Sequence, residues 1–164
     1  MLKNRRFAWA VTVGVIVLSI FVGVITTYMG KRNEVAEAFY TQILPVVDRA
    51  ANSRNDLLRL EEQYLDTRSD IIFRSVTVRD PDEVHALYLQ ILQSFENLVS
   101  RLDEVEMSNA LQDFYAGVYV NFREHTMIIR QAEYNLLAAD FNRSFNQNLG
   151  FIARPFVRDL PIFE

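Results

Sequence analysis

Cysteine is absent from this chain, which excludes disulfides and thiolate metal sites. Glycine is scarce beyond the first 30 residues: between residues 31 and 149 only Gly117 occurs. No long alternating pattern of the kind strands need is present. "SVTVRD" (75–80) alternates for a few residues and reads as a loop. The first 30 residues contain no Asp or Glu. There is no second long apolar run, and there is no Gly-x-Ser-x-Gly turn or phosphate-binding loop. These absences leave an all-α chain without the common constellations for acyl or phosphoryl transfer.

Residues 7–30, "FAWAVTVGVIVLSIFVGVITTYMG", carry no charge. About 20 apolar residues cross a bilayer core of ~30 Å as a helix, so this run predicts one transmembrane helix with length to spare. Trp9 and Tyr28 suit its two interfaces. The run is too long for a signal-peptide core, and "ITTYMG" is a poor cleavage site. Lys3, Arg5 and Arg6 precede it, against Lys31 and Arg32 after it, followed by Glu34 and Glu37. That bias, about one charge, predicts a cytoplasmic N-terminus with the remaining domain on the other side. Beyond residue 30 stand all 21 acidic residues and 14 of the 17 basic ones, a net of −7. An acidic domain argues against nucleic acid as a partner.

The chain therefore divides into a basic tag (1–6), the membrane helix (7–30), a helical bundle (31–148) and an aromatic tail (149–164). In the first bundle segment Val35, Phe39, Ile43, Val46, Ala50, Ser53, Leu57, Leu60 and Tyr64 recur at spacings of three and four. That segment runs from about Asn33 to Phe73 and can continue the membrane helix directly. Pro45 inside it predicts a kink near residues 41–45. The second helix opens on Asp80-Pro81-Asp82-Glu83, with Asp80 at the N-cap, Pro81 at the first helical position and Glu83 at the third. Val84, Tyr88, Ile91, Phe95, Leu98, Leu102 and Val105 then form its apolar stripe. The third helix, from an N-cap at Ser108 to Asn148, carries two stripes. One runs through Leu111, Tyr115, Val118, Phe122, His125, Ile129, Ala132, Leu136 and Ala139. The other holds Phe114, Met127, Tyr134, Phe141 and Phe145. Three long helices with short connections predict an extended antiparallel bundle. The tail, "LGFIARPFVRDLPIFE", has no helical order and predicts an irregular segment packed on the bundle or on the membrane surface.

The polar residues offer little chemistry. Asp82-x-x-His85 has the spacing of half a bundle metal site, but no second motif completes it, so Asp82 reads as cap and His85 as a surface residue. His125 lies on a core stripe and reads as a hydrogen-bonded structural residue. Glu61-Glu62 and the acidic cluster from Asp103 to Glu106 lack EF-hand spacing and read as solvated faces. Asn142-x-Ser144 is formally a glycosylation sequon, relevant only in a eukaryotic secretory route. No catalytic residue, metal ligand or cofactor site is expected. The most specific feature is a repeat: Tyr134-Asn135 returns seven residues later as Phe141-Asn142, on one helix face. Packing is the favoured reading, with each Asn bonding a neighbouring helix or the tail. A polar binding strip near Arg130, Asn135 and Asn142 is the alternative.

With these features the chain resembles the LemA family of bacterial membrane proteins. The resemblance rests on the membrane helix running into a long amphipathic helix and on "NSRNDLLRL" (52–60). It rests further on the repeat at Tyr134-Asn135 and Phe141-Asn142, with Arg130 upstream and Phe145 following on the same helix, and on the tail with Phe163 and its final Phe-Glu. The chain departs from the family where a Pro-Asp-Leu turn is replaced by "DEVEMSNALQDF" and where the segment after Asp56-Leu57 is shortened. The resemblance implies an antiparallel bundle on a membrane anchor and does not itself imply an enzymatic activity; none is expected from the residues. It also implies a place in the bacterial inner membrane or in an organelle derived from it, since members occur in magnetosome membranes. The expected function is a scaffold or interaction protein that binds other membrane proteins or itself. The alternative is a single-pass sensor binding a small molecule or peptide in the bundle.

Overall fold

The computed structural model describes residues 2–64, 73, 76, 78–147 and 149–164. All regular structure among them is helical. α1 spans Leu2–Ala38, a π-helical turn spans Phe39–Ile43, and α2 spans Leu44–Asp56. α3 (Leu58–Tyr64) and α4 (Pro81–Leu102) follow, then α5 (Asn109–Gln131), α6 (Glu133–Gln147) and the short α7 (Gly150–Ala153). Among the described residues one helix is long and apolar enough to span a membrane, and its most apolar window is not buried by the rest of them.

α1, the π turn and α2 follow one another without a gap, and α3 follows after the single residue Leu57, so the four make one rod. Pro45 explains the π turn. Lacking an N–H, and with a ring that crowds the preceding turn, it cannot follow an ordinary α-helical stretch without strain. The turn widens instead: the Leu44 N–H reaches back five residues to the Phe39 carbonyl. Where a kink is expected at 41–45, the structure places a π turn at 39–43, a one-residue insertion. The apolar stripe faces inward throughout, from Val35 through Phe39, Ile43, Val46, Ala50, Ser53 and Leu57 to Leu60. Residues 65–72, where the first segment was expected to continue, lie outside the described residues.

α4 starts as its sequence predicts. Asp80 is extended at the N-cap, and its carboxylate accepts from the Asp82 N–H at 2.9 Å. Val84, Tyr88, Ile91, Phe95, Leu98 and Leu102 are all buried. Its direction is not the one that short connections suggest. Arg54 meets Ser94 and Glu61 meets Arg101, each pair 40 residues apart in sequence. A constant offset means that α4 runs parallel to α2 and α3. The connector makes this necessary by first returning along the rod: Phe73 bonds Asn55, Val76 bonds Asp48 and Arg79 bonds Tyr40. α5 and α6 then run antiparallel to the rod, with α5 against α2 and α6 against α1.

The third helix is divided. Ala132 has ψ 137°, an extended value, and separates α5 from α6. One extended residue resets the helical phase, and the two expected stripes exchange roles there. Val118, Phe122 and Ile129 are buried before the break, while Leu136 of the same stripe is 71% exposed after it. In the second stripe Met127 is 57% exposed, whereas Tyr134, Phe141 and Phe145 beyond the break are buried. Ser108 occupies the N-cap of α5 but makes no side-chain cap bond. Tyr28 does not face outward as an interfacial residue would. It is buried edge-on against Phe141 and Phe145, and its hydroxyl donates to the Ser144 carbonyl at 3.1 Å.

Candidate functional site

The repeat in α6 is a ladder that holds the tail. The Asn135 amide accepts from the Phe163 N–H at 2.8 Å and donates to the Phe163 carbonyl at 2.9 Å. Asn142 makes the same pair of bonds with Leu160, both at 2.8 Å. Each amide thus reads one tail residue as a neighbouring β-strand would. The spacing follows from geometry. Seven helical residues rise ~10.5 Å, and three residues of extended or polyproline-like chain cover about 9–10 Å. Rungs seven apart on the helix therefore match residues three apart on the tail. Val157, Leu160 and Phe163 are buried at that same period.

Asn135 also closes the break at Ala132. Its amide reaches the Ile129 carbonyl at 2.8 Å, which also accepts from the Ala132 N–H at 3.3 Å, and the Arg130 carbonyl at 3.2 Å, both in the last turn of α5, where carbonyls run short of intrahelical donors. On the other side of the break, the Tyr134 N–H donates to Oε1 of Gln42 in the π turn at 3.1 Å. The Tyr134 hydroxyl donates to the Pro161 carbonyl at 3.0 Å, and burial pushes its pKa up. Phe163 then enters an aromatic nest. Its ring lies 5.0 Å from His85, 5.7 Å from Tyr88, 5.9 Å from Tyr134 and 6.1 Å from Phe39. His85 is accordingly half-buried against the tail rather than a free surface residue. Phe141 and Phe145 stack at 5.7 Å and face Tyr28, away from this nest.

A second ladder of the same design joins α2 to the connector, and sequence reading missed it. Asn55 donates to the Phe73 carbonyl at 2.6 Å and accepts from its N–H at 3.2 Å. Seven residues earlier, Asp48 accepts from the Val76 N–H at 3.0 Å; as a carboxylate it has no donor to return. Tyr40 adds a rung at Arg79, 3.2 Å away. From Asp48 to Tyr40 the helix step is eight residues, because the π turn inserts one. The available signal was Asp48 and Asn55 at the spacing already seen at Asn135 and Asn142.

Recesses between the bundle helices include two with charged linings. One, of about 310 Å³, lies between α2–α3 and α4, where Arg54, Glu61, Gln93, Asn97 and Arg101 line it. Arg54 and Glu61 are almost wholly buried. Arg54 donates to the Ser94 hydroxyl at 2.8 Å and lies 5.5 Å over the Phe73 ring. Burial lowers its pKa, and the nearby Glu61 charge opposes the shift. Glu61 accepts from Arg101 at 3.1 Å through Oε1, while Oε2 has no hydrogen-bond partner among the described residues. The other recess, about 260 Å³ between α4 and α5, is floored by the Phe95–Phe122 stack and rimmed by Arg123 and Arg130. Arg130 also sits beside the buried Tyr88 hydroxyl, whose pKa burial raises and that positive charge lowers. Asn135 and Asn142 face the tail and line neither recess. Among the described residues, no three His, Cys, Asp or Glu side chains gather as metal ligands would. No protein-family model matches the chain, and neither does any curated protein or solved structure.

His125 departs from the expected hydrogen-bonded role. It is half-buried, and its Nδ1 has no partner among the described residues. Burial first, and Arg49 second, lower its pKa from 6.5, with Glu124 opposing. A His with a depressed folded pKa binds fewer protons folded than unfolded, so stability falls as pH drops below about 6.5. The urea midpoint should be lower at pH 5.5 than at pH 7.5. His125→Gln should shrink that difference, and an unchanged difference would show that the ring does not carry it.

Proposed function

We propose that this protein is a non-enzymatic, membrane-anchored helical-bundle scaffold, a divergent LemA-like protein that organises membrane protein assemblies. The single observation that carries the reading is continuity. The exposed apolar helix α1 runs through the π turn into α2 and α3, so any displacement of the anchor is transmitted to the bundle as a rigid rod. Two side-chain ladders tie the non-helical segments to the helices, one from Asn55, Asp48 and Tyr40 of the rod and one from Asn135 and Asn142 of α6, which makes the acidic bundle a spacer of fixed shape. Residues 7–30 cross the bilayer of a bacterial inner membrane, with the N-terminus cytoplasmic and the bundle outside. Its partners are other membrane proteins or further copies of the chain.

A second reading, a sensor domain, draws on the recess lined by Arg54, Glu61 and Arg101, where a buried Glu61 carboxylate oxygen has no hydrogen-bond partner among the described residues. That composition suits a small zwitterion.

Deleting residues 7–29 is expected to abolish retention in carbonate-washed membranes; persistence there would exclude a single-anchor protein. Crosslinking the full chain in native membranes, followed by mass spectrometry, separates the two readings. Membrane-protein or self crosslinks support the scaffold, and a co-purifying small molecule lost on Glu61→Gln supports the sensor.

A further inference from the structure

We infer that the protein touches the bilayer a second time, through the corner between α6 and α7, whose Leu149, Phe151 and Phe156 enter the interfacial layer of the membrane that α1 crosses. This rests on the reading of residues 7–30 as a membrane span.

Position is the first argument. α7 packs directly on α1. Ser144, Gln147 and Leu149 face Ile20, Gly23, Val24 and Thr27 across a shallow groove, and Val24 and Ile25 are partly covered. The corner therefore lies beside the last turns of the apolar run and not beyond them. Length makes the overlap unavoidable. Residues 7–23 alone rise ~25 Å, short of the ~30 Å hydrocarbon core, so the turns at 24–28 are needed to complete the crossing. Whatever packs on those turns reaches the interface with them.

Chemistry is the second argument. Leu149 is 50% exposed and Phe151 and Phe156 are each 64% exposed, while Ala153 and Val157 between and after them are buried. The segment thus turns its large apolar side chains outward, a costly choice in water and a favourable one at the acyl–headgroup boundary. The charges agree with the site. From residue 141 to 158 there is no Asp or Glu, but Arg143, Arg154 and Arg158 are present, in a domain that is otherwise strongly acidic. Asp140 and Asp159 bound this stretch, with Arg143 3.6 Å from Asp140 and Arg154 donating to Asn146, yet all three arginines stay exposed, and exposed arginines beside interfacial aromatics suit anionic headgroups. Rigidity is the third. A Cβ at Gly150 would overlap the Phe145 carbonyl, so glycine permits the tight join that sets α7 against the end of α6. A second contact beside the α1 span, off its axis, would fix the tilt of the bundle over the membrane.

The test uses the full chain in liposomes of phosphatidylcholine and phosphatidylglycerol with bromine on the upper acyl carbons. In a Trp9→Phe background, single tryptophans are placed by Val17→Trp, Phe151→Trp and Phe114→Trp. Phe156→Trp replaces Phe151→Trp if that variant misfolds. Val17→Trp and Phe151→Trp are expected to emit to the blue and to lose most of their emission to bromine. Phe114→Trp, on exposed α5, should respond to acrylamide instead. Quenching at Val17→Trp without quenching at Phe151→Trp overturns the second contact and leaves the span intact. No quenching at Val17→Trp overturns the span itself. A Phe151→Trp probe shielded from both bromine and acrylamide means that protein, not lipid, covers the corner, and the inference fails.

Discussion

Asn135→Asp is expected to damage the protein more than Asn135→Ala, although Asp is the closer match in shape. The Asn135 amide nitrogen points at three carbonyls, those of Ile129, Arg130 and Phe163, at 2.8, 3.2 and 2.9 Å. Asp puts an oxygen there. Ionised, it faces three acceptors in a buried site; protonated, it satisfies at most one of them. A buried charge without a partner costs about 3–5 kcal/mol, whereas Ala forfeits hydrogen bonds worth about 0.5–1.5 kcal/mol each plus the desolvation of what is left unpaired. The same pair of changes at half-buried Asn142, which engages only Leu160, should cost about 1–2 kcal/mol. Thermal unfolding of the full chain in detergent gives the ranking. Hydrogen exchange gives the location: the Phe163 amide should lose protection in both Asn135 variants, and the Leu160 amide should lose it first in the Asn142 variants. An Asn135→Asp protein as stable as the parent would mean that the ladder is not formed.

Phe163→Ala should be the most destabilising tail substitution. The ring is fully buried and meets residues from the π turn (Phe39), α4 (His85, Tyr88) and α6 (Tyr134). Truncating a buried Phe costs about 3–5 kcal/mol through lost transfer energy and the cavity left behind. Phe163→Leu, which keeps most of the volume, should cost less than about 1.5 kcal/mol. The ring and Asn135 hold the same residue, so their losses should overlap. Adding Phe163→Ala to Asn135→Ala should cost clearly less than the two single losses together. Urea unfolding of the four proteins closes this cycle. Simple additivity would show that the ladder and the nest act independently, and a Phe163→Ala midpoint close to that of the parent would place the tail outside the core.

The exposed aromatics at Phe151 and Phe156 complete the picture of the last 16 residues. Residues 157–164 belong to the bundle and the corner before them to the bilayer, under the inference above. The sequence expectation had offered these as alternatives for the tail as a whole.

The all-α class, the apolar helix at 7–30, the cap at Asp80-Pro81 and the disturbance ahead of Pro45 were determined by the sequence alone. All of these are local: a run of apolar residues, a capping side chain, a missing N–H. The inward stripe from Val35 to Leu60 and that from Val84 to Leu102 were legible for the same reason, since helical period fixes a face without reference to a partner. Three features were decided only by the tertiary structure. The break at Ala132 falls on the residue with the best helix propensity, and what holds it open is distant: Gln42 takes the Tyr134 N–H, and Asn135 takes the Ile129 and Arg130 carbonyls. The parallel course of α4 depends on a connector that retraces the rod under the hold of Asn55 and Asp48. The meaning of the Asn repeat depended on the tail, because amides spaced seven apart on a helix are legible as a ladder only once a chain with rungs three apart lies beside them.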